Sequence, residues 1–230
     1  MNVTLHYCDI DKVRLPIEDL SAALVSEEEV RARRFHRKAD QLRFCVGRVM
    51  LREILAAHTG RTAKSIELST GPHGKPYADC GPSFNLSHSG STVMLGVAES
   101  GDVGVDVELV RPLEDLDQLV SRCFSDSERE ALEAQTEPEK TQSFYRTWTR
   151  KEAFVKALGG GLNVDLKSFS VSMHDSVGNV LLDASLCCSN SDDWSIRPVL
   201  FPNDFVAAVA WNRRSFLVEL KEFEVGFTES

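Results

Sequence analysis

No stretch of this 230-residue chain is apolar for long. The longest such run, Phe205 to Trp211, falls far short of the roughly 20 residues a membrane-spanning helix needs. Paired cysteine spacings are missing too. Cys8, Cys45, Cys80, Cys123, Cys187 and Cys188 contain no C-x-x-C and have no partnered histidines, and the adjacent Cys187 and Cys188 are awkwardly placed for a structural bridge. Reduced thiols in a cytoplasmic protein are the expectation. The opening Met1-Asn-Val-Thr-Leu-His-Tyr7 has no signal-peptide pattern. Positive charge is in deficit: 26 Lys and Arg against 35 Asp and Glu leave a formal net charge of −9, which argues against general nucleic-acid binding. There is no short repeat and no low-complexity linker. What remains, 42% hydrophobic and 27% charged residues, is an ordinary globular composition, long enough for one large domain or two small ones.

Periodicity divides the chain into α/β material. Val3–Cys8 reads as a strand, Ser26–Lys38 and Ala39–His58 as helices with Gly60 as a stop, and Ser65–Leu68, Ser83–Leu86, Thr92–Ala98 and Val103–Glu108 as strands. Arg111-Pro112 marks a hinge. Ser125-Asp-Ser-Glu128 is a capping box, Pro138 sits in the first turn of a long helix reaching Leu158, and Gly159-Gly-Gly161 ends it. Strand-like runs follow at Phe169–Met173, Val180–Leu182, Trp194–Leu200, Phe205–Trp211 and Ser215–Leu220.

Two motifs carry the chemistry. In Gly104-Val-Asp106-Val-Glu108 the carboxylates alternate with β-branched residues, so both point to one face of a strand. In Trp148-Thr-Arg-Lys151-Glu152-Ala-Phe-Val-Lys156 the residues 148, 152 and 156 share one helical face, with Lys151 off it. If the helix crosses the strand, Asp106, Glu108 and Glu152 can surround one hard cation. An all-oxygen set suits Mg²⁺ or Mn²⁺ rather than zinc, and Mg²⁺ commonly completes its shell with water and substrate phosphates. Either motif alone also fits a solvated strand edge or an ordinary i, i+4 helix pair.

The remaining motifs decide between these readings. His73-Gly-Lys75-Pro76 and Phe84-Asn-Leu-Ser87-His88-Ser-Gly90 precede the two carboxylate motifs, with Gly159-Gly-Gly161-Leu162 trailing. In this order and spacing the sequence closely resembles the 4'-phosphopantetheinyl transferases, specifically the larger, Sfp-type members. The resemblance is continuous from about residue 26 to 220.

That resemblance implies a fold, a reaction and a site. The fold is α/β (α+β), with two similar α/β subdomains related by a pseudo-twofold, here residues 1–110 and 111–230, and coenzyme A in the cleft between them. The reaction moves the 4'-phosphopantetheine arm of coenzyme A to a serine of an apo acyl, polyketide or peptidyl carrier protein, with Mg²⁺ (or Mn²⁺) and release of adenosine 3',5'-bisphosphate. By position, Asp106, Glu108 and Glu152 match the metal carboxylates and Lys156 the lysine beside the pyrophosphate; Glu152 is also the candidate general base, directly or through a metal-bound water. Ser87 and His88 match the residues against coenzyme A phosphates, with His88 binding best when protonated. Lys75 matches the lysine near the nucleotide.

The basic segment Arg31 to Arg48, whose sole acid is Asp40, points to a phosphate partner in an otherwise acidic chain. The resemblance assigns Arg43, with Arg31, to the 3'-phosphate, and here Glu28 stands where some members carry a second lysine. A monomer without nucleic-acid or membrane partners is expected. Two alternatives stay open: a non-catalytic homologue that binds coenzyme A or carrier protein, and a Mg²⁺-dependent phosphohydrolase using the same acids with water.

Overall fold

The computed structural model describes residues 1–174, 181–183, 193–201 and 204–226. In chain order they form β1 (Asn2–Asp9), α1 (Ile17–Ala22), α2 (Ser26–Ala32), α3 (Lys38–Thr59), β2 (Leu68–Thr70), β3 (Pro76–Ala78), β4 (Ser83–Ser89), β5 (Thr92–Ala98) and β6 (Val103–Leu109). There follow α4 (Leu116–Cys123), α5 (Asp126–Glu133), α6 (Glu139–Leu158), β7 (Ser170–Val171), β8 (Leu181–Asp183), β9 (Ser195–Val199), β10 (Phe205–Trp211) and β11 (Leu217–Glu222). The mixed α/β class is as expected. Several boundaries moved. The helix expected over Ser26–Lys38 stops at Ala32, and the strand expected at Ser65–Leu68 begins only at Leu68. Val180, Cys187 and Cys188 lie outside the described residues.

Four layers account for the burial pattern. α3 covers one face of the sheet β11-β1-β5-β4, and α6 covers the outer face of the sheet β6-β10-β9. The inner faces of the two sheets meet in a core of Val3, Leu5, Met94, Val105, Val107, Val209 and Trp211. Strand β5 is therefore buried along its whole length, with Val93, Leu95 and Val97 under α3 and Met94 and Ala98 against the second sheet. A strand covered on both faces reads as an unbroken apolar run, as Thr92–Ala98 does.

The same succession of elements occurs twice. From β1 to β5, and again from β6 to β10, the chain runs through a strand, short helices, a long helix closed by a left-handed glycine, and then strands. The closing glycines are Gly60 (φ 67°) and Gly159 (φ 68°). The principal strands order themselves as β1-β5-β4 and β6-β10-β9. Each repeat also contains one buried charged clamp in the same place. In the first, Arg52 of α3 reaches Glu28 of α2 (2.7 Å) and donates to the carbonyls of Ala63 and Ile66 (3.0 and 2.8 Å). In the second, Lys151 of α6 pairs with Glu128 of α5 (2.9 Å) and donates to Leu166 and Phe169 (2.7 Å each).

Strand pairing does not divide at the expected boundary. β6, on the N-terminal side of residue 110, ladders antiparallel with β10, whereas β11 from the C-terminal end runs parallel to β1. β6 thus belongs to the second repeat's sheet, where β10 satisfies its edge while Val103, Val105 and Val107 pack against the first sheet, and β11 crosses to the first.

Gly104 sets how closely α6 lies on β6. A Cβ at this position would sit 2.1 Å from the carbonyl oxygen of Ala153 and 2.3 Å from the amide nitrogen of Ala157, both backbone atoms that cannot turn aside. Gly104→Ala should therefore cost at least the ~1–3 kcal/mol of an overpacked core, since α6 must move as a body. A denaturation midpoint equal to wild type would show that α6 does not approach so closely.

Candidate active site

The site lies where β4, an edge of the first sheet, meets β6, an edge of the second. Strand alternation decides what faces what. On one side of β4, Phe84 and Leu86 pack into the core beneath α3. On the other side Asn85, Ser87 and Ser89 all reach β6. Asn85 Oδ1 accepts from Val105 N–H (2.9 Å), Ser87 Oγ donates to Asp106 Oδ1 (2.9 Å), and Ser89 Oγ donates to Glu108 Oε2 (2.7 Å) while accepting from Leu109 N–H (3.1 Å). The strand expected over Ser83–Leu86 runs on to Ser89, and Gly90 (φ 54°) helps make the two-residue turn into β5.

Across this seam lies the face of α6 that carries Trp148, Glu152 and Lys156. Lys156 Nζ donates to Asp106 Oδ1 (2.6 Å) and to Ser87 Oγ (3.0 Å). A cavity of about 260 Å³ brings together Ser87, His88, Asp106, Glu108, Trp148, Glu152 and Lys156. It adjoins a larger one of about 560 Å³ that shares Leu86, Glu152 and Lys156 and extends past Lys75 to Arg122. The strand and helix motifs therefore line one cavity, the arrangement open to them where the helix crosses the strand.

Burial dominates the electrostatics. Asp106 is 3% exposed, and desolvation pushes its carboxyl up, opposed by the Lys156 ammonium and the Ser87 hydroxyl. Burial raises Glu108 as well, with Ser89 opposing. Glu152 is raised by burial and then by the neighbouring Asp106 and Glu108 charges, and it makes no hydrogen bond among the described residues. Asp106 Oδ2 is buried with no hydrogen-bond partner. A carboxylate oxygen left unpaired in the interior is costly, and a hard cation relieves that cost. This orphaned acceptor, with Glu108 and Glu152 in the same cavity, fits a Mg²⁺ or Mn²⁺ ion. Among the described residues no three acids, histidines or cysteines are already drawn together as a metal cluster. Asp106 is instead engaged by Lys156 and Ser87, and Glu108 by Ser89.

The other expected residues divide. Arg43 pairs with Asp40, donates to the carbonyl of Gly90 (2.6 Å), and stands close enough to His88 to depress its pKa. Desolvation is the larger cause of that depression, so His88, expected protonated, leans towards the neutral form in the ligand-free protein. Arg31 is placed over the ring of Phe44 (5.2 Å), which it shares with Arg48 (5.5 Å). Glu28 is buried against Arg52, where it serves α2–α3 packing. Lys75 lines the larger cavity, but its ammonium caps the end of α6 through Ala157 O (2.9 Å). Ser89, Asn85 and Arg122 were not anticipated. The alternation Asn85-x-Ser87-x-Ser89 held the signal for the first two; Arg122 had none.

Comparison with known proteins identifies the family. Residues 102–210 match the family model for the 4'-phosphopantetheinyl transferase superfamily, and residues 16–100 that for the 4'-phosphopantetheinyl transferase N-terminal region. The chain is 32% identical over 206 residues to the 4'-phosphopantetheinyl transferase HetI of Nostoc sp., covering 87% of this chain and 84% of that one. It is 34% identical to a 4'-phosphopantetheinyl transferase of Bacillus subtilis over 71% of this chain and 72% of that one, and 35% identical to the Sfp enzyme of Bacillus subtilis strain 168 over 64% and 66%. With the motif residues meeting in one cavity and relatives matching over most of both chains, this protein belongs to the 4'-phosphopantetheinyl transferase superfamily.

Proposed function

We propose that this protein transfers the 4'-phosphopantetheine arm of coenzyme A to a serine of an apo carrier protein, with Mg²⁺ or Mn²⁺, and releases adenosine 3',5'-bisphosphate. The observation that carries this reading is the cavity in which Ser87, His88, Asp106, Glu108, Glu152 and Lys156 meet, at the junction of the two repeats. Residues 1–110 and 111–230 would act as two subdomains around that cleft, in a cytoplasmic monomer. No helix among the described residues is long and apolar enough to cross a membrane.

The side chains divide the work as follows. The serine oxygen attacks the β-phosphorus of the pyrophosphate; the bond to the bridging oxygen breaks, and its electron pair leaves with the adenosine bisphosphate. Glu152 is free to accept the serine proton, and its raised pKa makes it a better base than an exposed glutamate. Lys156 faces the same cavity and neutralises charge on the departing phosphate. Ser87 and His88 contact the phosphates, Arg43 with Arg31 holds the 3'-phosphate, and Lys75 borders the nucleotide. Asp106, Glu108 and Glu152 would hold the cation, which when bound neutralises charge on the pyrophosphate and on the leaving group. The acidic net charge means that an acidic carrier must dock through local basic and apolar patches.

Incubation with coenzyme A, Mg²⁺ and apo carriers of fatty-acid, polyketide and peptide type, read by intact mass, tests the proposal. At least one carrier should gain the phosphopantetheine mass in a Mg²⁺-dependent way, and folded protein that binds coenzyme A but modifies none refutes it. Arg43→Ala should weaken coenzyme A by about 1.5–3 kcal/mol, the contribution of a charge-assisted contact, and leave dephospho-coenzyme A nearly unchanged in calorimetry. Equal losses for both ligands would remove Arg43 from the 3'-phosphate.

A further inference from the structure

Lys156 occupies a position that a metal ion also needs. Its ammonium is 2.6 Å from Asp106 Oδ1, and Ser87 Oγ holds the same oxygen at 2.9 Å. The other oxygen, Oδ2, is buried and unpaired. This carboxylate thus already carries a resident cation on one oxygen. A divalent ion ligated by Asp106 would lie beside that ammonium, and two positive charges at such separation repel strongly where water is scarce. Neither can leave without consequence, since removing Lys156 alone strands a buried carboxylate and adding metal alone strands an ammonium.

Resting on the reading above, we propose that Lys156 is an exchangeable stand-in for the metal, which couples metal binding to binding of coenzyme A. The pyrophosphate offers the Lys156 ammonium a new anionic partner. Once Lys156 turns to it, Asp106 is released to the divalent ion, with Glu108 and Glu152 drawn in from their present separation. Metal and coenzyme A therefore enter as a linked pair, each raising the affinity of the other by the same factor, as linkage requires. Ser87 bridges both arrangements, because its hydroxyl touches Asp106 and Lys156 together.

The test is Mn²⁺ binding followed by the electron paramagnetic resonance of the free ion, with and without coenzyme A. For the wild type, coenzyme A should tighten Mn²⁺ by a factor on the order of 5–150, the usual span for coupled sites. Lys156→Met and Lys156→Gln should bind Mn²⁺ more tightly than the wild type in the absence of coenzyme A and gain less than the wild type from its addition, although both lose transfer activity. Thermal melts establish that each variant is folded. In the wild type itself, the ¹⁵N resonance of the Lys156 ammonium should move when Mg²⁺ and coenzyme A are added together and stay in place with Mg²⁺ alone. Variants that bind Mn²⁺ no tighter than wild type, or a resonance that moves fully with Mg²⁺ alone, overturn the exchange while leaving the transferase reading intact. A wild type that transfers without any divalent ion and binds no Mn²⁺ with coenzyme A present would instead refute the metal reading, and the exchange with it.

Discussion

Replacing Glu152 by Gln is expected to lower carrier-protein modification by roughly 10²–10⁴, the usual range for loss of a positioned base, and saturating Mg²⁺ or Mn²⁺ should not restore it. The reasoning starts from what surrounds the carboxylate. Asp106 and Glu108 have serine or lysine partners, whereas Glu152 has no hydrogen bond among the described residues and faces the cavity. Burial and two neighbouring carboxylates raise its pKa, which moves it towards the task of taking a proton. Gln keeps the size and one acceptor oxygen but cannot take that proton. If Glu152 served the metal alone, excess cation would compensate for the weaker ligand. Near wild-type turnover of Glu152→Gln at saturating metal would leave metal-bound water or solvent to accept the serine proton.

The second large effect should fall on stability. Lys151, one residue before Glu152, is completely buried, with its ammonium 2.9 Å from Glu128, 2.7 Å from each of the Leu166 and Phe169 carbonyls, and 4.2 Å from the centre of the Phe169 ring. Glu128 in turn accepts from the amides of Ser125 and Val171, so it caps α5 and ties it to β7. Lys151→Met removes the cation and leaves these acceptors facing an apolar chain. Breaking one side of a buried pair costs about 3–5 kcal/mol. For a chain of this size that is a fall in Tm of roughly 6–20 °C, at about 2–4 °C per kcal/mol. Arg52→Met in the first repeat should cost a similar amount, because Arg52 likewise holds one buried glutamate and two backbone carbonyls. Adding Glu128→Gln to Lys151→Met should recover part of the loss by removing the uncompensated charge. A Lys151→Met protein as stable as wild type in urea would show that the pair is not needed.

Much of the site was legible from periodicity. Asp106 and Glu108 point the same way because strand side chains alternate, and Trp148, Glu152 and Lys156 line one cavity because i, i+4 and i+8 share a helical face. The helix ends were legible for a related reason: Gly60 and Gly159 adopt the left-handed backbone that glycine takes without strain, and Ser125 with Glu128 forms the expected capping box. Each of these depends on local geometry within a few residues of chain, which the order of amino acids determines by itself.

Contacts between distant segments were decided by the tertiary structure. Nothing within a few residues of Glu28 indicates that it pairs with Arg52, or that the same clamp recurs at Glu128 and Lys151, since an ion pair across 23 or 24 residues depends on how two helices are brought together. Strand exchange was hidden for the same reason. β11, which follows the second repeat, satisfies its backbone hydrogen bonds on β1 of the first, and alternation specifies a strand's faces but not its neighbour. The ammonium of Lys156 on Asp106, fifty residues apart, is likewise a product of assembly. The sequence by itself determined which residues carry the charges and which way each element presents them. Only the packing of β4, β6 and α6 decided which charges face one another, because that choice is made by burial across the whole chain.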